Sequence, residues 1–157
     1  MQLLISDSNI FIDMEISNLT KKMFELPYQF VVPDILYVEE LAEEHENLLE
    51  YGLEMKRLSS ESHNYTENIV IKCPETSFND LVALALARQE SCPLVTGDGA
   101  LRKACKEEAV VILGTVWLID ELISHSIITV DEAKEAYVLM RENKRRLPWK
   151  IIEERFK

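Results

Sequence analysis

The sequence predicts an α/β protein in which helices wrap a parallel sheet of four to five strands. Three observations carry this expectation. Apolar runs of strand length alternate with longer segments of helical patterning. Each run ends at a signal that both turns the chain and starts a helix. The 157 residues, 47% hydrophobic and 29% charged with four Gly and five Pro, suit one compact domain and fit neither disorder nor a collagen-like chain. A chain of this size buries roughly 70% of its unfolded surface and needs no disulfide or structural zinc to hold together.

The first strand is expected over residues 3–6, where Leu3-Leu4-Ile5 runs into Asp7-Ser8-Asn9. The second, 30–32, ends at Pro33-Asp34 and leads into a helix over 34–50, capped by Asp34 and carrying Leu36, Val38 and Leu41 among many glutamates. A weaker strand near 53–58 and a poorly patterned helix over 59–72 follow. Ser77-Phe78-Asn79-Asp80 forms an S-x-x-D cap before the apolar stretch 81–87. Strands at 94–96 and 110–113 end in Gly97-Asp98-Gly99 and Gly114-Thr115, each opening a helix. Thr129-Val130-Asp131-Glu132 is a capping box, and Ala133, Ala136, Tyr137 and Met140 recur at helical spacing, so that helix lays one face on the core. After Pro148 a short terminal helix is expected over 149–156. One domain is expected over 1–157, with 129–157 as a C-terminal helical extension.

Composition excludes several classes of function. Cys73, Cys92 and Cys105 lie apart without a CxxC, and the odd count points to free thiols in a reducing compartment. The chain opens directly into an apolar run with no leader pattern, and no stretch approaches the ~18 apolar residues of a membrane span, so a cytoplasmic protein is expected. A formal charge of −11 disfavours broad, nonspecific attraction to phosphate backbones. Residues 141–157 nevertheless hold seven Lys/Arg against three Glu, a net +4 that leaves −15 on the first 140.

In an open parallel sheet, ligands bind beyond the carboxyl ends of the strands, and Asp7 and Asp98 belong at that edge. Asp80 falls in the first turn of one helix and Glu40 in the second turn of another, so four acids from remote segments can meet on one face. Two like charges ~4 Å apart repel by about 4 kcal/mol in a partly screened site, so such a cluster must hold protons or cations, and all-oxygen ligation favours Mg²⁺ or Mn²⁺ over zinc. Each acid also has a plainer reading. Asp7, Asp80 and Asp98 suit helix caps or first-turn positions worth ~1 kcal/mol each, and Glu40 suits the solvated face of an acidic helix.

The set Leu3-Leu4-Ile5-Ser6-Asp7-Ser8-Asn9, Leu36-Tyr37-Val38-Glu39-Glu40-Leu41, Asn79-Asp80-Leu81-Val82-Ala83-Leu84-Ala85 and Leu94-Val95-Thr96-Gly97-Asp98 resembles the PIN-domain family over about residues 1–123. The segment 114–122 also resembles a PIN subgroup found beside toxin-like operons. The resemblance implies a three-layer α/β/α sandwich, a Mg²⁺- or Mn²⁺-dependent ribonuclease, and acidic ligands at Asp7, Glu40, Asp80 and Asp98. In many relatives the activity belongs to VapC-type toxins held in check by an antitoxin. The family motif favours Glu40, followed by Leu41, over Glu39, and ~100° of rotation per residue lets only one of the two face a site squarely. Thr96 is an auxiliary polar residue able to orient water. The Asn that often follows it is replaced by Gly97, and Asn9 either takes that role or closes a local Asx-type turn.

The mechanism expected from this set is metal-assisted hydrolysis of phosphodiester bonds in single-stranded or looped RNA. Lys144, Arg145, Arg146 and Lys150 either track the RNA backbone or solvate a helix end. The partners expected are RNA, an antitoxin and a second copy of the chain, with no membrane. His45, His63 and His125 read as surface residues, Trp117 as core packing and Trp149 as terminal packing. A haloacid-dehalogenase-like phosphatase needs Asp-x-Asp after its first strand, and Asp7-Ser8-Asn9 does not supply it. A noncatalytic PIN-fold binding module is the alternative that remains.

Overall fold

The computed structural model describes residues 1–156. Five parallel strands, β1 (Gln2–Ser6), β2 (Tyr28–Pro33), β3 (Glu54–Lys56), β4 (Leu94–Val95) and β5 (Ile112–Leu113), form one sheet in the order β3-β2-β1-β4-β5. All five runs expected from the sequence are therefore strands. β1 lies at the centre, pairing Leu4 with Phe30 of β2 and Ile5 with Leu94 of β4. Its unbroken apolar run is what a strand covered on both faces requires, and Leu4, Ile5, Phe30, Val31 and Leu94 are fully buried.

Ten helical segments cover the sheet. α1 (Ser8–Ile16) and α2 (Thr20–Met23) follow β1, α3 (Asp34–Leu36) and α4 (Asn47–Tyr51) follow β2, and α5 (Ser60–Lys72) and α6 (Phe78–Glu90) follow β3. α7 (Gly99–Glu107), α8 (Thr115–Ser124), α9 (Val130–Glu142) and α10 (Trp149–Arg155) complete the chain. α6 packs on β1, β2 and β4 with α3, α5 and α7 beside it, while α1, α2, α8 and α9 pack together as the other helical layer. The caps read at Ser77 and Thr129 are formed, whereas Asp34 falls inside the first turn of α3, with Pro33 at the cap position and no side-chain cap bond. The Ser77 hydroxyl accepts from the Asp80 amide, and Thr129 and Glu132 satisfy each other's backbone N–H groups. Ala133, Ala136, Tyr137 and Met140 are all buried. Among the described residues no helix is long and apolar enough to cross a membrane, and all three cysteines are free.

The expected helix over 34–50 is broken. After α3 the chain widens into a π-turn over Tyr37–Leu41, where the Ala42 amide reaches back to the Tyr37 carbonyl at 2.8 Å, and helix resumes only at Asn47. The acidic run explains the weakness, because Glu39 with Glu43 and Glu40 with Glu44 set like charges four residues apart, which destabilises a regular helix. Gly52 then ends α4 with φ 118°, a backbone conformation that a side chain would strain.

Two topological features place the site. Successive crossovers step from β1 outward to β3 and then return to β4 on the other side of β1, so the strand order reverses between β1 and β4. That switch point leaves a crevice at the carboxyl ends of these two strands. The Asp7 amide continues the ladder by donating to the Val95 carbonyl at 3.2 Å, which fixes the ends of β1 and β4 side by side.

Candidate active site

Asp7 leaves β1 at the crevice and caps α1, its Oδ1 accepting the Ile10 amide at 3.2 Å. It is fully buried, with a relative exposure of 0%. The Thr96 hydroxyl donates to its other oxygen, and that same hydroxyl oxygen accepts the Asp98 amide at 3.1 Å. Asp98 in turn caps α7 by accepting the Leu101 amide at 2.8 Å. Thr96 is thus engaged on both sides. Its proton goes to Asp7 and its lone pair to the Asp98 backbone, so it fixes the two acids relative to each other, a more specific task than orienting water.

Electrostatics reveal how close the acids stand. Burial pushes the Asp7 carboxyl up from 3.8 to about 7, against the lowering effect of the Thr96 and Ile10 hydrogen bonds, and the charges of Asp80 and Asp98 push it further. Asp80, in the first turn of α6, is also raised, first by burial and then by the charges of Asp98 and Glu40, with the Ser77 hydrogen bond opposing. Among the described residues neither acid has a lysine, arginine or histidine within ion-pair distance. The four carboxylates therefore act on one another's charge, and Asp7 and Asp80 do so without an ion-pair partner of their own.

Glu40 reaches this neighbourhood from the π-turn. Its Oε1 accepts the Ser8 hydroxyl at 2.8 Å, and its Oε2 accepts the Asn79 amide at 3.0 Å. The same Asn79 nitrogen also donates to Glu39 at 2.8 Å. On a regular helix one of these neighbours would turn away; on the widened turn both meet Asn79, while Glu40 alone is tied to Ser8 beside Asp7. Single-turn π segments of this kind occur often at functional sites.

The donor chemistry fits a hard divalent cation, since every charged group is a carboxylate oxygen. Among the described residues no three His, Cys, Asp or Glu side chains are grouped as a ready-made cage.

The rim is basic. Asn9, Gly97, Asp98 and Gly99 line a cavity of about 290 Å³ together with Lys144, Arg145 and Arg146 from the segment after α9. Among the described residues the Asn9 side chain makes no hydrogen bond, so the local Asx-type turn is not formed and the amide belongs to the cavity wall. Of the four basic residues, Arg145 is engaged inside the protein. Its Nε donates to Asp13 at 2.6 Å, and its guanidinium reaches the Asn9 carbonyl at 3.5 Å. Lys144, Arg146 and Lys150 are exposed.

Sequence reasoning missed Ser8, Asn79 and Asp13. Asp13 lies on α1 at 4% exposure, held by Arg145 and by the Thr115 hydroxyl at 2.8 Å. An acid set among Ile10, Phe11, Ile12 and Met14 was the available signal, because a carboxylate buried there demands a partner. His45 also departs from a plain surface residue, since its ring meets Glu15 at 2.7 Å and is largely covered.

A helical-layered parallel sheet with an acidic crevice at its switch point is an arrangement shared with known proteins. The family model DUF3368, described as a PIN domain, matches residues 3–157, and the chain belongs to the PIN-domain family, whose members are generally nucleases. The match extends through α9 and α10, beyond the segment that resembled the family in sequence. Among solved structures, a PilT N-terminus domain protein from the hyperthermophilic archaeon Sulfolobus solfataricus P2 is similar in fold, with a TM-score of 0.52 and 14% identity over 77% of this chain and 94% of that one. No curated protein matches the chain.

Proposed function

We propose that this chain is a Mg²⁺- or Mn²⁺-dependent endoribonuclease acting on single-stranded or looped RNA, and the toxin of a toxin–antitoxin pair. The observation that supports the reading is that Asp7 is pushed up by the charges of Asp80 and Asp98, and Asp80 by those of Asp98 and Glu40, so the four acids act on one another near the switch point. These four residues would hold the ion, which when bound supplies charge neutralisation and a more acidic water for in-line displacement at phosphorus. Thr96 keeps Asp7 and Asp98 in fixed relation, and Ser8 with Asn79 aims Glu40. Arg146 and Lys144 at the rim offset the repulsion that an acidic protein exerts on an approaching RNA backbone. With a basic rim beside Asp98, a flexible single strand is the better fit, since its backbone and bases can follow the surface as a duplex cannot.

A toxin needs a surface for its antitoxin. The apolar groove of about 440 Å³ lined by Ile35, Val38, Leu58, Phe78 and Val82 lies next to Glu39 and supports that part of the reading. Ile35, Val38 and Phe78 are exposed there without a cover.

Purified protein incubated with a diverse pool of single-stranded RNA in Mn²⁺ tests the proposal. Cleavage that stops in EDTA, returns with Mn²⁺ and is lost in Asp98→Asn supports it. Absence of cleavage with Mn²⁺ demonstrably bound replaces it with the noncatalytic binding module, while cleavage undiminished in EDTA assigns the activity to another, metal-independent nuclease.

A further inference from the structure

The chain has seven arginines, and their engagements divide them sharply. Arg57, Arg141, Arg145 and Arg155 each pair with a carboxylate, and Arg88 lies over the Tyr65 ring at 4.0 Å. Among the described residues only Arg102 and Arg146 have neither an acidic partner nor an aromatic one. In a protein of net charge −11, where carboxylates are abundant, two unpaired guanidiniums are a feature to be explained. Both line the same groove.

That groove, about 520 Å³, runs between α7, α8 and the segment that precedes α10. Trp117 and Val116 form one wall and Leu147, Pro148 and Ile151 the other, with Arg102 and Arg146 among them. Tyr28 packs against Trp117 with ring centroids 5.5 Å apart, so the indole is held while part of it still faces the groove. Gly97, Gly99 and Arg146 line both this groove and the cavity that holds Asp98, so the two are adjacent. A Cβ at Gly97 or Gly99 would meet nothing within 4 Å, so no side chain crowds the backbone that the two share. Arg102 Nη1 sits 3.8 Å from where a Cβ on Gly114 would stand, placing its guanidinium beside Gly114, another lining residue of the groove.

We propose that this groove is a nucleotide subsite of the RNA, in which one base stacks on Trp117 while Arg102 and Arg146 hold the phosphates that flank it. The inference rests on the nuclease reading above, since the acid site locates the strand from which that nucleotide extends. The chemistry favours RNA over a peptide. An aromatic wall accepts the face of any base, and two unpaired cations lining one groove match the repeating charge of a phosphodiester chain. The subsite also divides the basic stretch 144–146 by task, with Arg145 anchoring the segment to Asp13 and Arg146 left for substrate.

The test uses the full chain carrying Trp149→Phe, so that Trp117 is the sole source of indole emission. A single-stranded oligoribonucleotide and a matched oligomer lacking its bases are each mixed with it in Mn²⁺. Emission is read by stopped flow before cleavage, and cleavage is followed in the same samples. The expected result is quenching by the intact RNA and none by the base-free strand, with Arg102→Gln and Arg146→Gln each raising KM by about 3- to 10-fold at low salt. Equal quenching by both strands overturns base stacking. Cleavage with silent Trp117 emission and unchanged KM in both variants overturns the subsite, leaves the nuclease reading intact and assigns the groove to a protein ligand. Base-dependent quenching without any cleavage does the reverse: the groove stands as an RNA site and the nuclease reading falls.

Discussion

Asp7 caps α1 and Asp13 lies six residues further on within it, both buried, and the protein treats them in opposite ways. Asp13 receives a guanidinium from Arg145 and a hydroxyl from Thr115, so its charge is matched inside the fold. Asp7 receives a hydroxyl and an amide, no cation, and the repulsion of Asp80 and Asp98 besides. The contrast teaches that this chain is able to neutralise a buried carboxylate and leaves one unmatched at the switch point. An uncompensated charge there costs stability, which a proton or a bound cation would relieve.

Breaking the matched pair should have the largest effect. Arg145→Leu strands the Asp13 charge in the core and is expected to cost about 3–5 kcal/mol in chemical denaturation. Arg145→Leu combined with Asp13→Leu should recover most of that loss. At Asp7 the sign reverses: Asp7→Asn in EDTA should leave stability unchanged or raise it, because the substitution removes a charge that burial and two neighbours oppose.

The pH dependence sharpens the same contrast. The folded-state value for Asp7, about 7, lies above its ordinary 3.8, so the folded protein holds a proton that the unfolded chain has released. Stability of the metal-free protein from this group is therefore complete below about pH 4 and is lost as pH rises through about 7, at up to about 1.4 kcal/mol per pH unit. Asp80, also raised, adds in the same direction. Urea denaturation in EDTA between pH 4 and pH 8 should show this decline in the wild type and a shallower one in Asp7→Asn.

Asp98 combines both kinds of behaviour and should give a smaller signal. Its cap on Leu101 survives in Asp98→Asn and is lost in Asp98→Ala, so the alanine variant should be the less stable by about 0.5–2 kcal/mol, while both lose RNA cleavage. The smallest stability effects, within about 0.5 kcal/mol, are expected at the exposed pair Glu39 and Glu40. Their difference is catalytic: Glu40→Gln should abolish cleavage and Glu39→Gln should retain most of it, because only Glu40 is tied to Ser8 beside Asp7.

The comparison also marks which parts of the molecule were legible beforehand. β1, β2 and β4 were readable because burial on both faces demands apolar runs, and the caps at Ser77 and Thr129 because their partners lie three residues away. Asp7 and Asp98 could be placed at one edge by strand direction alone. The π-turn was not readable, since it arises from charge crowding in a segment whose apolar spacing still reads as helix. The Asp13–Arg145 pair was hidden by a separation of 132 positions, and Asn79 by its bonds to two glutamates across another crossover. Local rules expose caps and strands, while contacts made by tertiary closure leave only an indirect trace, such as an acid in an apolar helix face.

The central claim is that the unmatched carboxylates at the switch point are completed by a divalent cation. Titration calorimetry of the metal-free protein with Mn²⁺, paired with melting temperatures in EDTA and in Mn²⁺, tests it most directly. The account predicts saturable binding and a higher melting temperature in Mn²⁺, both lost in Asp7→Asn, as follows when a ligand binds the native state alone. No heat of binding together with identical melting in EDTA and Mn²⁺ would contradict it.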